Sequence, residues 1–360
     1  MSETPSVTNA NDDSSIDANP AAERLHDTGP TGRLEAGLLA RGALGGALMG
    51  LANLVPGISG GTMLVAAGIY TRFVDAIADT TRLRLRPASL ALLGVVVLSA
   101  VIAIGALAGV IAQGLSDFRW GMYSLFIGLT LGGAPLLVGM IRSTKGFGPP
   151  AVVGTTVGIA VMAGLVLLQA GDATAGGSSG GPVMLVVGGI AGASAMILPG
   201  VSGAYLLLLL GLYDTIINSI KTFVEAGRSA DLNAAIGEMG VVVPVGIGVV
   251  LGVVVVSNLL RFLLHRYESA TLGVLLGLLL AAPLGLYPFR EGVPPRAGDT
   301  ISGDVLTAET AAEIDPKDWP QRAFTPSGTQ LASAAGLVVF GFSVTLGIAR
   351  LGRERQRSSR

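Results

Sequence analysis

Two stretches, PGISGGTMLVAAGIYTRFVDAI at 56–77 and PGVSGAYLLLLLGLYDTIINSI at 199–220, decide how this chain folds. They align without a gap at an offset of 143 residues, and eight of the 22 positions are identical. The identical positions include the four defining residues of a PGxSG motif and the glycine and tyrosine of a following GxY. Single apolar residues repeat by chance in such a chain, but this matched pair of motifs indicates an internal duplication.

The composition around these stretches is that of a membrane protein. The 360 residues are 51% hydrophobic and 13% charged, with a mean hydropathy of +0.67, whereas soluble proteins carry about 25% charged residues. The 53 glycines suit helices that pack closely in lipid. Most of the long uncharged stretches reach the roughly 20 residues that a helix needs to span a bilayer. These stretches are 38–55, 87–116, 120–141, 146–171, 173–213, 239–260, 269–289 and 323–349.

Charge and residue usage exclude several classes of function. The net charge is −1, and no basic stripe with interleaved aromatic residues is present, so a nucleic-acid partner is not expected. The chain has no cysteine and only two histidines, which excludes disulfides and thiolate metal sites and leaves too few ligands for a metal centre. We therefore expect neither a metal nor another cofactor.

Each PGxSG motif interrupts an apolar run. Proline followed by glycine ends the incoming helix, and the serine is placed to N-cap a short helix on the far side. An ordinary kink, with the serine bonded back to the preceding turn, is the alternative for a single copy. Two related copies favour helices that meet at breaks within the membrane. Irregular backbone survives there only inside protein or beside a water-filled cavity, so the breaks predict a cavity.

Loop charges predict the topology. The C-terminus carries five arginines after position 349 and is placed in the cytoplasm, whereas the acidic stretch 289–329 falls on the opposite side. Counting spans backward, the first broken hairpin begins and ends inside and the second begins and ends outside. The predicted fold is an all-α polytopic membrane protein with an inverted-topology repeat. Each half contains one broken or re-entrant helix hairpin and three transmembrane helices, an arrangement typical of transporters.

The chain accordingly divides into four regions. Residues 1–33 form a disordered cytoplasmic tail, 34–171 the first transmembrane repeat, 172–350 the second repeat, and 351–360 a basic cytoplasmic tail. The second repeat includes an acidic extracytoplasmic loop at 290–329. We expect a multi-pass protein of the cytoplasmic membrane with both termini in the cytoplasm.

The breaks are the candidate binding site. The start of each short helix offers free N–H groups, the positive end of a dipole and a hydroxyl, which together suit an anion. The candidate substrate-binding residues in or beside the breaks are Asn53, Pro56, Gly57, Ser59, Gly60, Gly61, Thr62, Pro199, Gly200, Ser202, Gly203 and Tyr205. Arg72 is the candidate phosphate partner within the repeat, and Asp75 and Asp214 are candidate coupling groups. Snorkelling to lipid headgroups is the alternative for these charged residues.

The two signatures also carry a family resemblance. ANLVPGISGGTMLVAAGIY at 52–70 and LPGVSGAYLLLLLGLY at 198–213 resemble the paired signatures of the polyprenyl-phosphate transporters of PopT type, over about residues 35–350. The resemblance implies a flippase-like carrier that recycles undecaprenyl phosphate, the lipid carrier for cell-wall polysaccharides, from the outer to the inner leaflet. The implied partners are a polyprenyl phosphate and the bilayer, and a coupling proton or sodium ion is left open.

Functions in other classes compete with this interpretation. A carrier or channel for a small anion would use the same helix starts. Undecaprenyl-pyrophosphate phosphatases also contain a PGxS segment, but with an arginine after the serine and paired glutamates. Here Gly60 follows Ser59, and the apolar spans contain no glutamate, so the charge that a phosphatase needs is missing. A purely structural scaffold would leave the broken helices unexplained. We therefore expect a transporter and not an enzyme.

Overall fold

The computed structural model describes residues 36–54, 58–144, 146–170, 181–229, 231–298, 300–301, 304–313, 319 and 321–358. Six helices in these ranges are long and apolar enough to cross a membrane, and a bent pair would make a seventh span. Large apolar side chains such as Val97 on one span and Val250 on another are about 60% exposed, as surfaces that face lipid require. The predicted all-α, multi-pass membrane fold is confirmed.

The described helices of the first half follow the predicted order. They are α1 (Ala36–Asn53), α2 (Gly60–Ala66), α3 (Tyr70–Thr81), α4 (Pro87–Asp117), α5 (Arg119–Leu131), α6 (Ala134–Thr144) and α7 (Pro149–Ala170). Proline occupies the first position of α4 and α7, where its missing N–H costs no helical hydrogen bond. The predicted span 120–141 is divided by a turn at Gly132 and Gly133 into α5 and α6.

The second half repeats this order. Its helices are α8 (Pro182–Ile197), α9 (Gly203–Leu209), α10 (Tyr213–Ser229), α11 (Leu232–Arg266), α12 (Glu268–Gly285), a short α13 (Ala308–Glu313) and α14 (Gly328–Ser358). The predicted interruption at Pro199 and Gly200 is present between α8 and α9. Helix α14 continues to Ser358, so the predicted tail 351–360 is largely a helical extension rather than a separate segment. The predicted tail 1–33 lies outside the described residues.

The two short helices have the same local geometry. Ser59 before α2 has φ/ψ of −95° and 124°, and Ser202 before α9 has −94° and 131°. Each short helix ends in a turn at a glycine with left-handed backbone, Gly68 at φ 69° and Gly211 at φ 67°, which a side chain would strain. Helix α10 then leaves α9 at a bend of 119°. The duplication seen in the sequence is thus a duplication of local structure.

Glycines set which long helices pack together. Cβ atoms added at Gly46 and Gly50 of α1 would overlap the carbonyls of Val96 and Ala100 of α4. Both helices advance by four residues between these contacts, so they run parallel, and without glycine they could not approach so closely. Glycine contacts at successive positions along each pair likewise show that α8 packs parallel to α11, α5 to α14 and α7 to α12. Spans of one half therefore pack directly on spans of the other.

Short strands lie between α12 and α14, at one end of the bundle. Strand β1 (Arg290–Gly292) pairs antiparallel with β4 (Gln321–Ala323), and β2 (Thr300–Ile301) pairs with β3 (Asp304–Val305). The ring of Phe289 stacks on Trp120 at the start of α5, with centroids 6.4 Å apart. The connection between α4 and α5 therefore lies at the same end of the molecule as the stretch between α12 and α14.

Candidate functional site

The two breaks lie against each other. The Ser59 hydroxyl donates to the carbonyl oxygen of Leu198 at 2.8 Å, and the backbone N–H of Gly200 donates to Thr62 Oγ1 at 2.9 Å. These bonds join residues 139 and 138 positions apart, so they link one repeat to the other. The structure thus brings together four of the candidate residues that the sequence suggested, namely Ser59, Gly61, Thr62 and Gly200. Pro56 and Gly57 lie outside the described residues.

The contact between the breaks is close and buried. Thr62 is 0% exposed, and Ser59 and Ser202 are each 5% exposed. A Cβ atom at Gly61 would come within 2.8 Å of the Ile197 carbonyl oxygen, and one at Gly200 would come within 2.7 Å of Leu278 on α12. Glycine is therefore required at both positions so that the backbones can touch, rather than only to let a ligand approach.

The serines do not cap their helices through their side chains. Ser59 and Ser202 occupy the N-cap positions with extended backbone, but neither hydroxyl bonds to an N–H of the short helix that follows. By contrast, Asp231 caps α11 through its side chain, because its carboxylate accepts from the backbone N–H groups of Asn233 and Ala234. Both serines therefore occupy the predicted N-cap position, but the Ser59 hydroxyl donates across the repeat to Leu198 instead of capping α2.

The remaining residues at the breaks surround this contact. Asn53 is exposed at the end of α1, and its amide lies beside the α-carbon of Gly60. Gly203 lies against the backbone of Gly192 on α8. Tyr205 is 6% exposed, and its hydroxyl donates to the Leu165 carbonyl oxygen of α7 at 2.8 Å. Tyr205 thus ties the second short helix to a span of the first repeat.

The charged candidates are separated from the breaks along the chain. Arg72 is exposed on α3, and Asp214 is exposed in the first turn of α10. Asp75 is half-buried, and its carboxylate pairs with Arg261 Nε of α11 at 3.3 Å. Asp75 is therefore part of an ion-pair cluster between the repeats, whereas Arg72 and Asp214 contribute to none of the contacts described between the breaks.

The cluster around Asp75 is a feature that the sequence analysis missed. Asp79, whose side chain is 4% exposed, pairs with Arg261 at 2.6 Å and with Arg86 at 3.4 Å. Beside it the Asn258 amide of α11 donates to Thr81 Oγ1 at 2.9 Å. Helix α3 of the first repeat is therefore fixed to the last turns of α11. Loop charges predict that Arg86 and Arg261 lie on the same side of the membrane, but nothing in the sequence shows that Asp79 is buried against them.

The bond between Gly200 and Thr62 provides a test of the contact. Replacing Thr62 by valine leaves the buried Gly200 N–H without an acceptor, which costs about 1–3 kcal/mol. We expect Thr62→Val to lower the free energy of unfolding by that amount in detergent, as measured by thermal denaturation. Thr62→Ser keeps the acceptor and serves as the matched control. Equal stability of the valine variant and the wild type would show that this bond does not hold the breaks together.

The arrangement offers hydrogen-bond donors but no catalytic set. The Ser59 hydroxyl and the Gly200 N–H are donors held within a buried, glycine-lined contact, and each is suited to an anion's oxygen atoms. In the described ranges, no group of three or more His, Cys, Asp or Glu side chains could hold a metal ion. The chemistry available at the breaks is therefore binding by neutral donors.

Two known proteins are similar to this chain over most of its length. The chain is 28% identical over 249 residues to a polyprenyl-phosphate transporter of Staphylococcus aureus, which covers 68% of this chain and 85% of the relative. It is 26% identical over 272 residues to a polyprenyl-phosphate transporter of Vibrio cholerae, covering 69% of this chain and 77% of the relative. No solved structure matches significantly.

The names of the two relatives and the matching family model describe the same class of protein. Both relatives are named as transporters, which confirms the prediction of a transporter rather than an enzyme. The model of the undecaprenyl phosphate translocase-like family matches residues 49–298, a range that contains both breaks and most of the helices that pack around them. The chain belongs to the undecaprenyl phosphate translocase-like family.

Proposed function

We propose that this protein is a flippase that recycles a polyprenyl phosphate, undecaprenyl phosphate in the first instance, from the outer to the inner leaflet of the cytoplasmic membrane. The names of its two relatives support the class of substrate. The observation that carries the proposal is the pair of hydrogen bonds that joins the two breaks. A transporter needs its substrate site where its two halves meet, and these bonds lie at that meeting point.

The phosphate is held by the polar groups of the PGxSG segments at the starts of the short helices. Ser59 and Gly200 now donate to protein acceptors, Leu198 O and Thr62 Oγ1. A phosphate oxygen is a stronger acceptor than either, because hydrogen bonds to an ionised group are about twice as strong as neutral ones. The headgroup takes over these donors when the breaks separate, while the prenyl tail stays in lipid.

Inverted topology of the two repeats is part of this proposal. Helices α6 and α7 are joined by residues 145–148, and a connection this short makes neighbouring helices antiparallel. Helix α12, the repeat counterpart of α5, packs parallel to α7, since Gly154 faces Ala270 and Gly158 faces Val274. Helix α12 therefore runs antiparallel to α6, which continues the predicted span that begins with α5. The opposite directions of α12 and its counterpart α5 support an inverted repeat.

Alternating access is also part of this proposal, and the way the halves are fastened supports it. The ion pairs of Asp79 and Asp75 with Arg261 hold α3 of one half against α11 of the other, beside the basic connection 82–86. Opening the route at this end requires these pairs to separate. The positive-inside rule places this end, and both termini, in the cytoplasm. Asp75 and Asp214 are the carboxylates that we propose for coupling transport to a proton or sodium gradient.

Transport by reconstituted protein tests the proposal. We expect the protein in liposomes to move a labelled polyprenyl phosphate between leaflets, followed with a side-selective reagent. We expect Ser59→Ala and Ser202→Ala each to lower the initial rate about tenfold, because a hydrogen bond to a charged group is worth about 1.5–3 kcal/mol. Ser143→Ala, which removes an exposed hydroxyl bonded within its own helix, is the matched control.

Three results would contradict the proposal. Absence of movement by the wild type, with or without an imposed proton or sodium gradient, would remove the polyprenyl phosphate as substrate. Inhibition by inorganic phosphate that is as strong as inhibition by unlabelled polyprenyl phosphate would instead favour a carrier for small anions. Wild-type rates in both serine variants would show that the phosphate is held elsewhere.

A further inference from the structure

Thr130 on α5 is a buried polar residue with an unused hydroxyl. It is 2% exposed, and its Oγ1 has no hydrogen-bond partner among the described residues. A buried hydroxyl without a partner costs free energy, so such a group in a native protein calls for an explanation. The sequence analysis did not single out this residue.

Several buried or partly buried hydroxyls in the helices of this chain bond to their own helix, and those of Thr62 and Thr345 bond to another segment. Ser124, on the same helix, donates to the Trp120 carbonyl at 2.7 Å. Thr155 on α7 and Thr271 on α12 donate to the carbonyl four residues earlier at 2.8 Å and 2.9 Å. This local bond is the usual solution for a helical serine or threonine. Thr130 does not make this bond, although α5 also has a backbone carbonyl four residues before it.

The neighbours of Thr130 show which way its face of α5 points. Phe126 and Ile127, four and three residues before it, pack in a cluster with Ile58 and Met63 at the first break. Gly133, in the turn that directly follows α5, lies 3.8 Å from Val65 of α2 and 3.3 Å from Leu279 of α12, measured from an added Cβ, so this end of α5 adjoins both helices. Residues three and four apart share a helix face. Thr130 therefore lies on the face of α5 that is turned toward α2 and α12.

The repeat places the same position beside the other break. The strings GLTLGGAP at 128–135 and GLLLAAP at 277–283, the second one residue shorter, place Thr130 opposite Leu279 when aligned from the glycine and opposite Leu278 when aligned from the proline. In the second half, Gly200 of the break packs against the backbone of Leu278 and Leu279. Thr130 is thus the counterpart of a residue that contacts a break, and it carries a hydroxyl where the second half carries a methyl-terminated side chain.

We propose that Thr130 is a further contact for the phosphate headgroup, to which its hydroxyl donates when substrate occupies the first break. This inference rests on the proposed function. An anion suits the site better than a cation, because neither α2 nor α5 contains a carboxylate and α12 has only Glu268, at the end remote from Leu279. The site is one-sided, so the two breaks hold the headgroup with unequal sets of donors.

Binding to purified protein in nanodiscs tests this inference with a fluorescent polyprenyl phosphate. We expect Thr130→Val to raise the Kd about tenfold, the usual effect of losing one hydrogen bond to a charged group. Thr130→Ser keeps the hydroxyl, so its Kd is expected to stay near that of the wild type. Ser124→Ala removes a buried hydroxyl from the same helix and is the matched control, with an unchanged Kd. The thermal midpoint of Thr130→Val is expected to be no lower than that of the wild type.

The possible failures are distinguishable. A wild-type Kd in Thr130→Val, with binding by the wild type intact, would overturn the role of Thr130 and leave the proposed function standing. A lower thermal midpoint in the valine variant but not in the serine variant would show a structural hydroxyl and would also overturn it. Absence of binding by the wild type would instead remove the proposed function.

Discussion

Replacing Gly248 by valine is expected to prevent α8 and α11 from packing and to leave little folded protein. A Cβ at this position would overlap the Val186 carbonyl oxygen and would lie within 3.0 Å of the Gly189 α-carbon. Both obstacles are backbone atoms of α8, so no side chain can move aside. We expect a loss of more than about 3 kcal/mol, at or beyond the upper end of overpacking effects. Thermal denaturation in detergent and the monodisperse fraction on gel filtration measure it.

The control for this change lies two residues away on the same helix. A Cβ at Gly246 would meet no atom within 4 Å, so Gly246→Val adds the same side chain without a clash. Its stability is expected to stay within about 0.5 kcal/mol of the wild type, as for most substitutions away from packed sites. A Gly248→Val variant as stable as Gly246→Val would contradict the close packing of α8, the helix that leads into the second break.

Removing the Arg261 side chain by an Arg261→Met substitution is expected to have the second-largest effect. Asp79 then keeps a nearly buried carboxylate with only the more exposed Arg86 as a partner. Breaking a buried pair in this way destabilises a protein by about 3–5 kcal/mol, because the remaining charge is desolvated without compensation. We expect a loss near the lower limit, since Arg86 and solvent compensate part of the charge. Chemical or thermal unfolding in detergent measures this loss.

A double variant separates the charge effect from a packing effect. Asp79→Asn combined with Arg261→Met removes both charges of the buried pair but leaves the half-buried Asp75 without Arg261, so we expect it to recover part of the lost stability. Arg266→Met, on the same helix and exposed, is the control and is expected to be nearly neutral. A double variant that is no more stable than Arg261→Met alone would contradict this account, because the loss would then come from packing and not from an unpaired charge.

Features that depend on nearby residues could be predicted from the sequence. Spans are visible because about 20 consecutive apolar residues suit a bilayer, and proline followed by glycine is visible as a helix break wherever it stands. The repeated PGxSG and GxY motifs indicated the duplication, and the structure gives Ser59 and Ser202 nearly the same backbone angles. The family, too, could be recognised from these motifs, because they occur as a pair in a fixed order.

Contacts between distant residues could not be predicted. A span that is apolar on all sides gives no sign of the face that it turns to a neighbour. The pairing of Ser59 with Leu198 and of Asp79 with Arg261 joins residues 139 and 182 positions apart. The N-cap position predicted for the serines is present, but the bond of the Ser59 hydroxyl could not be predicted, because only the fold supplies the Leu198 acceptor.

By itself, therefore, the sequence determined that this protein is a helical membrane protein with two related breaks and a family of transporters to which it belongs. Only the tertiary structure decided that the breaks touch, that Asp79 is buried against Arg261, and that the Thr130 hydroxyl has no partner among the described residues. The physical reason is that hydropathy and helix-breaking act over neighbouring residues, whereas burial and pairing depend on where the packing of whole helices brings distant residues.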